Sequence, residues 1–185
     1  GFYPRGGGEV RLETRPFSMD RIELMDRGSL ERFEIYSKAS QELEDPKVAD
    51  RQADEAARKL KNSHVSAEIE KNVEYVDTDS TGSSLVLKAV YEDSVAGFDV
   101  LGEQGKRSEE VAREVVEAFR KFHSSGAVVD RYMSDQLVIF LALVGGKVKI
   151  PEITSHIQSS LEVLRKFGKE VEIEREEETA VLAAS

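Results

Sequence analysis

The sequence predicts an α+β protein, on three observations. Runs that alternate apolar and polar residues recur along the chain and mark half-buried strands. Between them stand runs with apolar residues three and four positions apart, which mark helices with one buried face. From residue 127 onward the two kinds follow one another as helix, strand, helix, strand.

Taken in order, Val10, Leu12 and Thr14 alternate with Arg11 and Glu13, and Ile22 and Leu24 flank Glu23, so both stretches predict strands. Asp26-Arg27-Gly28 predicts a turn. A middle module begins near Glu31 with the strand FEIYS. Asp45-Pro46 predicts a helix start, with Asp as N-cap and Pro at the first helical position. Ala49, Ala53, Ala56, Ala57 and Leu60 then share one helix face. AEIEKNVEYV and SSLVLKAVYE predict strands split by the polar turn DTDSTGS, and GFDVLGE predicts another. Ser108 is placed to cap a second helix, with Glu109 and Glu110 in the first turn where the helix dipole favours them. Its apolar face is Val111, Ala112, Val115, Val116, Phe119 and Phe122, and HSSG ends it.

In the last segment Ser134 is placed to cap the helix DQLVIFLALV. This helix is apolar nearly all round and is therefore expected to be buried. Gly145-Gly146 stops it. KVKIPEI predicts a strand. SHIQSSLEVLRKFG predicts a helix from about Ile157 to Gly168, with Thr154 or Ser155 as its cap. EVEIERE predicts a strand with Val171 and Ile173 inward. Nothing after Glu177 reads as packed.

Composition narrows the function. Apolar residues make up 39% of the chain and charged residues 34%, the balance of a soluble folded protein rather than a disordered or membrane-embedded one. The longest strongly apolar run, Leu137 to Val144, falls far short of the roughly 20 residues of a bilayer span. With no cysteine, disulfides, thiolate metal sites and cysteine nucleophiles are excluded. A formal net charge of −10 argues against broad nucleic-acid binding. The charge is uneven, however. Residues 1–30 are neutral, 31–126 carry net −7, 127–168 carry net +1, and the remaining acid follows Lys169. The segments flanking the acidic module remain able to face an anionic substrate.

Few residues offer chemistry. Gly6-Gly7-Gly8 lead into a predicted strand, whereas phosphate-binding glycine loops run from a strand into a helix whose N-terminus holds the anion. The glycines therefore favour a tight turn, with close approach to a ligand left open. His64 and His123 read as solvent-facing or capping groups. His156 lies where a strand hands over to a helix. A histidine there is either an ordinary surface residue or, beside a phosphate at the helix N-terminus, a nucleophile or an acid. Asp135 and Gln136 open the apolar helix, where a carboxylate ordinarily supports the dipole. Tyr132 is either a rim residue or a platform for a ring. EVEIEREEE reads as a solvated strand and tail.

Three stretches carry a family resemblance. GFYPRGGGEV resembles the signature of the RNA 3'-terminal phosphate cyclase family: Gly, two residues, Pro, one residue, three Gly, one residue, an aliphatic. YMSDQLVIFLALVGG and EITSHIQSSLEVLRKFG resemble two further motifs of that family, in the same order, with a domain-sized module between. The middle module matches by position and size. The resemblance implies layered units of two helices on a four-stranded sheet, similar to the C-terminal domain of translation initiation factor three, with a smaller inserted α/β domain. On that basis 1–30 and 127–185 are expected to belong to the main domain and 31–126 to the insertion.

The family converts an RNA 3'-phosphate to a 2',3'-cyclic phosphate, using ATP and a divalent metal (Mg or Mn). The resemblance implies His156 as the nucleophile that takes on AMP. It implies Tyr132 (on the adenine side), Asp135 and Gln136 as ATP contacts, with both helix starts pointing amides at one phosphate cluster. The implied partners are ATP, an RNA 3'-phosphate end and an N-terminal half of the same protein, with no membrane, in the cytoplasm. That half is expected because the family's proteins are about twice as long and this chain begins without methionine. The fragment alone is expected to be inactive. The alternative is a non-catalytic relative that binds RNA in ribosome biogenesis, and such relatives lack the histidine. One departure stands near the site: Ser159-Ser160 replace the family's common Thr-Asn.

Overall fold

A computed structural model describes residues 1–63 and 65–185. His64, expected at the surface, lies outside the described residues. Among them are four α-helices and two four-stranded sheets, a mixed α+β architecture in two compact units. The first unit comprises Gly1–Thr14, Leu30–Val90 and Gly97–Arg120. The second comprises Arg15–Ser29, Tyr91–Ala96 and Lys121–Ser185.

In the first unit the strands are β2 (Leu30–Ser40), β3 (Glu68–Val76), β4 (Ser83–Tyr91) and β5 (Val95–Gly102), in spatial order β3-β2-β4-β5. Strands β2 and β3 run parallel, Phe33 opposite Ile69. Parallel neighbours need a crossover, and α1 (Val48–Lys61) supplies it. The alanine face expected for α1 is buried, Ala49 through Leu60. So is the whole apolar face of α2 (Ser108–Ser125), where Phe119 meets the Phe33 ring edge-on at 4.8 Å. One polar chain crosses this core. Ser37 donates to Gln52 at 3.1 Å and Gln52 donates to Ser83 at 2.9 Å, so each buried group is satisfied.

Both helix starts here differ from the sequence expectation. Asp45 and Pro46 lie in a turn, and α1 begins at Val48 after Lys47 in the left-handed conformation (φ 52°). Its cap comes from another strand. The Tyr75 hydroxyl accepts from Ala49 N–H at 3.1 Å and donates to the Asp50 carboxylate at 2.7 Å. Ser108 is the first residue inside α2 and donates to the Val48 carbonyl, while the Glu110 carboxylate accepts from Arg107 N–H at 3.2 Å. An N-terminal carboxylate replaces the expected serine cap.

The second unit holds β1 (Ile22–Leu24), α3 (Arg131–Val144), β6 (Gly146–Ile150), α4 (Ser155–Lys166), β7 (Glu172–Arg175) and β8 (Ala180–Ala184). The sheet order is β1-β6-β8-β7. Strand β1 is parallel to β6, and β8 is antiparallel to both its neighbours. Gly145 (φ 74°) ends α3, and Gly146 (φ 120°) starts β6. A Cβ on Gly146 would lie 1.9 Å from the Ile22 carbonyl oxygen, so only glycine allows β1 to pair there. Val138, Leu141, Val148, Ile150, Ile157, Leu161 and Leu182 form the core.

Four expectations are corrected in the chain as a whole. Val10–Thr14 forms no strand, and Val10 and Leu12 are 94% and 84% exposed: alternation makes a strand only where a neighbouring strand and a core receive it. Residues 180–184, expected to be loose, form β8, a central buried strand. Helix α3 starts at Arg131, not at Ser134. Asp130 is its N-cap, accepting from Met133 N–H at 2.8 Å, and Ser134 is buried one turn in, donating to the Asp130 carbonyl at 2.7 Å. Finally, α3 is not buried all round. Tyr132, Ile139, Phe140 and Leu143 are exposed along one stripe. No helix among the described residues is long and apolar enough to cross a membrane.

Candidate functional site

The N-terminal part of α4 and the first half of α3 assemble the site within the second unit. Strand β6 ends at Ile150, and the chain turns through Pro151 into α4. Thr154 caps α4 in extended conformation, its Oγ1 accepting from Ile157 N–H at 3.1 Å. His156 follows as the second residue of the helix and is exposed. Here the backbone N–H groups of the first turn lack carbonyl partners within the helix, and the dipole favours negative charge. The Thr154 hydroxyl also donates to Asp135 Oδ1 on α3. An Arg131–Glu152 ion pair at 3.5 Å joins the same two segments at the surface.

Asp135 thus reaches the cap of the helix that carries His156. Tyr132 and Gln136 lie one turn apart on the exposed stripe of α3. Asp135 and Gln136 sit in the second turn, because α3 begins at Arg131. The expectation that both helix starts offer amides to one phosphate cluster therefore changes. The start of α3 is closed by Asp130, and α4 alone presents His156 at its first turn.

The glycine stretch has another role. Gly6 N–H donates to the Phe2 carbonyl at 2.9 Å, closing a turn in which Gly6 and Gly7 take φ 71° and 81°. A Cβ on Gly7 would lie 2.7 Å from Asp79 Oδ2. The segment lines a cleft of about 660 Å³ with Lys38, Asp77, Thr78 and Asp79. Two carboxylates against one lysine do not make a phosphate cradle, and the tight turn expected from the pattern is what forms.

His123 is neither solvent-facing nor a simple cap. Its Nδ1 lies 2.8 Å from the Tyr91 hydroxyl, and the two rings stack 6.0 Å apart. Burial, with a smaller contribution from the Arg27 charge, holds the imidazole pKa below its usual value. Burial pushes the Tyr91 hydroxyl up to about 12. Arg27, legible only as a turn residue, organises this corner. Its guanidinium donates to the carbonyls of Ala127 (2.8 Å), His123 (2.6 Å) and Phe122 (3.4 Å) and lies 4.8 Å from the Tyr91 ring centre. A turn motif gives no sign that its arginine will close a helix about a hundred residues later.

A family model described as RNA 3'-terminal phosphate cyclase (RTC), insert domain, matches residues 25–124. The whole chain is 38% identical over 185 residues to the RNA 3'-terminal phosphate cyclase of Halobacterium salinarum, covering 52% of that protein. Over 167 residues, 90% of the chain, it is 38% identical to the RNA 3'-terminal phosphate cyclase of Saccharolobus solfataricus and covers 49% of it. A Saccharolobus islandicus protein of the same name is 36% identical over the same length. The chain spans about half the length of the curated relatives it matches.

Proposed function

The chain belongs to the RNA 3'-terminal phosphate cyclase family, and from that premise we propose that it is the C-terminal portion of an ATP-dependent enzyme that closes an RNA 3'-phosphate into a 2',3'-cyclic phosphate. The observation that carries this reading is His156 at the first turn of α4, beside a cap tied to Asp135. A nucleophile there works against phosphate held by a helix N-terminus.

The chemistry runs in three steps. His156 attacks the α-phosphorus of ATP, forming a P–N bond as pyrophosphate leaves. An oxygen of the RNA 3'-phosphate then displaces the histidine and takes the AMP as a phosphoanhydride. The neighbouring 2'-hydroxyl attacks the 3'-phosphorus, its proton is lost, and AMP departs. Closing the ring is intramolecular, so positioning contributes most of the acceleration. Tyr132 offers a face for adenine, and Asp135 and Gln136 offer polar contacts to the nucleotide. A divalent cation takes oxygen ligands and would neutralise charge on the nucleotide's phosphates. Among the described residues no three acidic or histidine side chains converge on a cation site.

We further propose residues 31–126 as an inserted domain and 127–185, with 1–30, as part of the main domain. The family-model match at 25–124 supports the first. Two helices on the sheet β1-β6-β8-β7 support the second as a unit of the expected kind. The exposed apolar stripe on α3 supports a partner surface supplied by the rest of the longer protein. We propose a cytoplasmic location, as the family resemblance implies.

The test is to incubate the full-length protein with a 3'-phosphorylated RNA oligomer, ATP and Mg2+ or Mn2+. The expected product has an end resistant to phosphatase. An end that remains phosphatase-sensitive would contradict the proposal and leave a binding role.

A further inference from the structure

We infer that Thr154 is a positioning residue that sets the Asp135 carboxylate in register with the helix carrying His156. The inference rests on the roles proposed for those two residues. Thr154 is 5% exposed, and its one hydroxyl serves both helices. It gives its proton to Asp135 Oδ1 and accepts from Ile157 N–H. A hydroxyl has a single proton and two lone pairs. Spending the proton on Asp135 fixes the rotor and leaves a lone pair for the helix amide.

An ordinary cap needs only the acceptor half of this arrangement. The donor half goes to another helix. Asp135 therefore has one oxygen committed to Thr154, and in the proposed function the carboxylate so held contacts the nucleotide. Each end of the link is anchored. Ile157 is fully buried beneath α4, and Val138 and Leu141 anchor α3. Apolar packing between helices sets their separation but is weakly directional, and the Arg131–Glu152 pair is half exposed and correspondingly weak. The Thr154 hydroxyl is the directional tie. An error of about 1 Å in placing a reacting group costs on the order of a hundredfold in rate.

The experiment measures the rate at which full-length protein forms a covalent AMP adduct from α-phosphate-labelled ATP, together with thermal melting of each variant. Thr154→Ser keeps both halves of the link and is expected within about threefold of wild type. Thr154→Val removes both and is expected to lose about tenfold or more. Thr154→Gly has no side-chain proton to give, and glycine at an N-cap costs a helix little relative to threonine. It is expected to melt near wild type and to label slowly, which separates positioning from capping should the valine variant fail to fold. In an Asp135→Ala background the link is already broken, so Thr154→Gly, which spares the helix start, should change the rate little. Equal losses from Thr154→Gly in both backgrounds, or wild-type labelling by Thr154→Gly, would overturn the inference while leaving the proposed function intact. Absence of adduct in the wild type would overturn both.

Discussion

Asp135 on α3 accepts a hydrogen bond from Thr154, the residue that caps α4. The two lie 19 positions apart in sequence, and their contact turns two neighbouring motifs into one site. His156 stands two residues beyond that contact, at the first turn of α4. The fold keeps the helix start and the carboxylate in one place while His156, Tyr132 and Gln136 stay exposed.

Arg27 predicts the cost of opening the far corner of the second unit. Its guanidinium occupies three carbonyls, two of them at the C-terminal end of α2, and packs on the Tyr91 and Phe122 rings. Arg27→Ala leaves these carbonyls without their charged donor and is expected to destabilise the unit by about 2–3 kcal/mol. Urea unfolding followed by far-ultraviolet circular dichroism measures this. A loss below about 0.5 kcal/mol would mean that water replaces the guanidinium freely.

Glu34 predicts an acid limb in the first unit. Its carboxylate accepts from Tyr36 at 2.7 Å, from Lys88 at 3.0 Å and from Arg32 at 2.8 Å. These partners, Tyr36 foremost and then Lys88, lower its pKa from 4.5 to about 2. The folded state therefore holds fewer protons than the unfolded state between those values. This stabilisation is complete above about pH 4.5 and fades as pH falls toward 2. Melting temperature followed from pH 6 to pH 2 should show a flatter acid limb in Glu34→Gln than in wild type. Parallel curves would contradict the assignment.

The apolar stripe on α3 separates this chain from the longer protein proposed around it. Ile139, Phe140 and Leu143 are 51%, 42% and 62% exposed. Replacing Phe140 and Leu143 with serine should change the stability of the 185-residue chain by under about 0.5 kcal/mol each, as for surface sites. In the full-length protein the same changes should cost about 2 kcal/mol or more each, the scale of losing a buried apolar side chain. Equal, small effects in both would mean that the stripe has no partner there.

Much of this is legible in the sequence, where the physics is local. The buried faces of α1 and α2 follow from helical spacing, and Thr154 stands out as one of two adjacent candidate caps for α4. What was not legible depends on partners distant in sequence. Ala180–Ala184 shows no alternation because four of its five residues are buried, and it follows an acidic run that reads as a tail. Val10–Thr14 alternates but receives no strand. The starts of α1 and α3 shift because Tyr75 and Asp130 do the capping expected of Asp45 and Ser134. In the site, the family motifs point to His156 and Asp135 separately. The hydroxyl that joins them is visible only once α3 and α4 pack together.

The central claim is that His156 is the nucleophile, and one measurement addresses it directly. Full-length protein is incubated with ATP labelled at the α-phosphate and a divalent metal, and the adduct is mapped by proteolysis and mass spectrometry. The account predicts AMP on the peptide containing His156, through an acid-labile bond, and no label in His156→Ala. Label that persists in His156→Ala, or that maps to another residue, would contradict it.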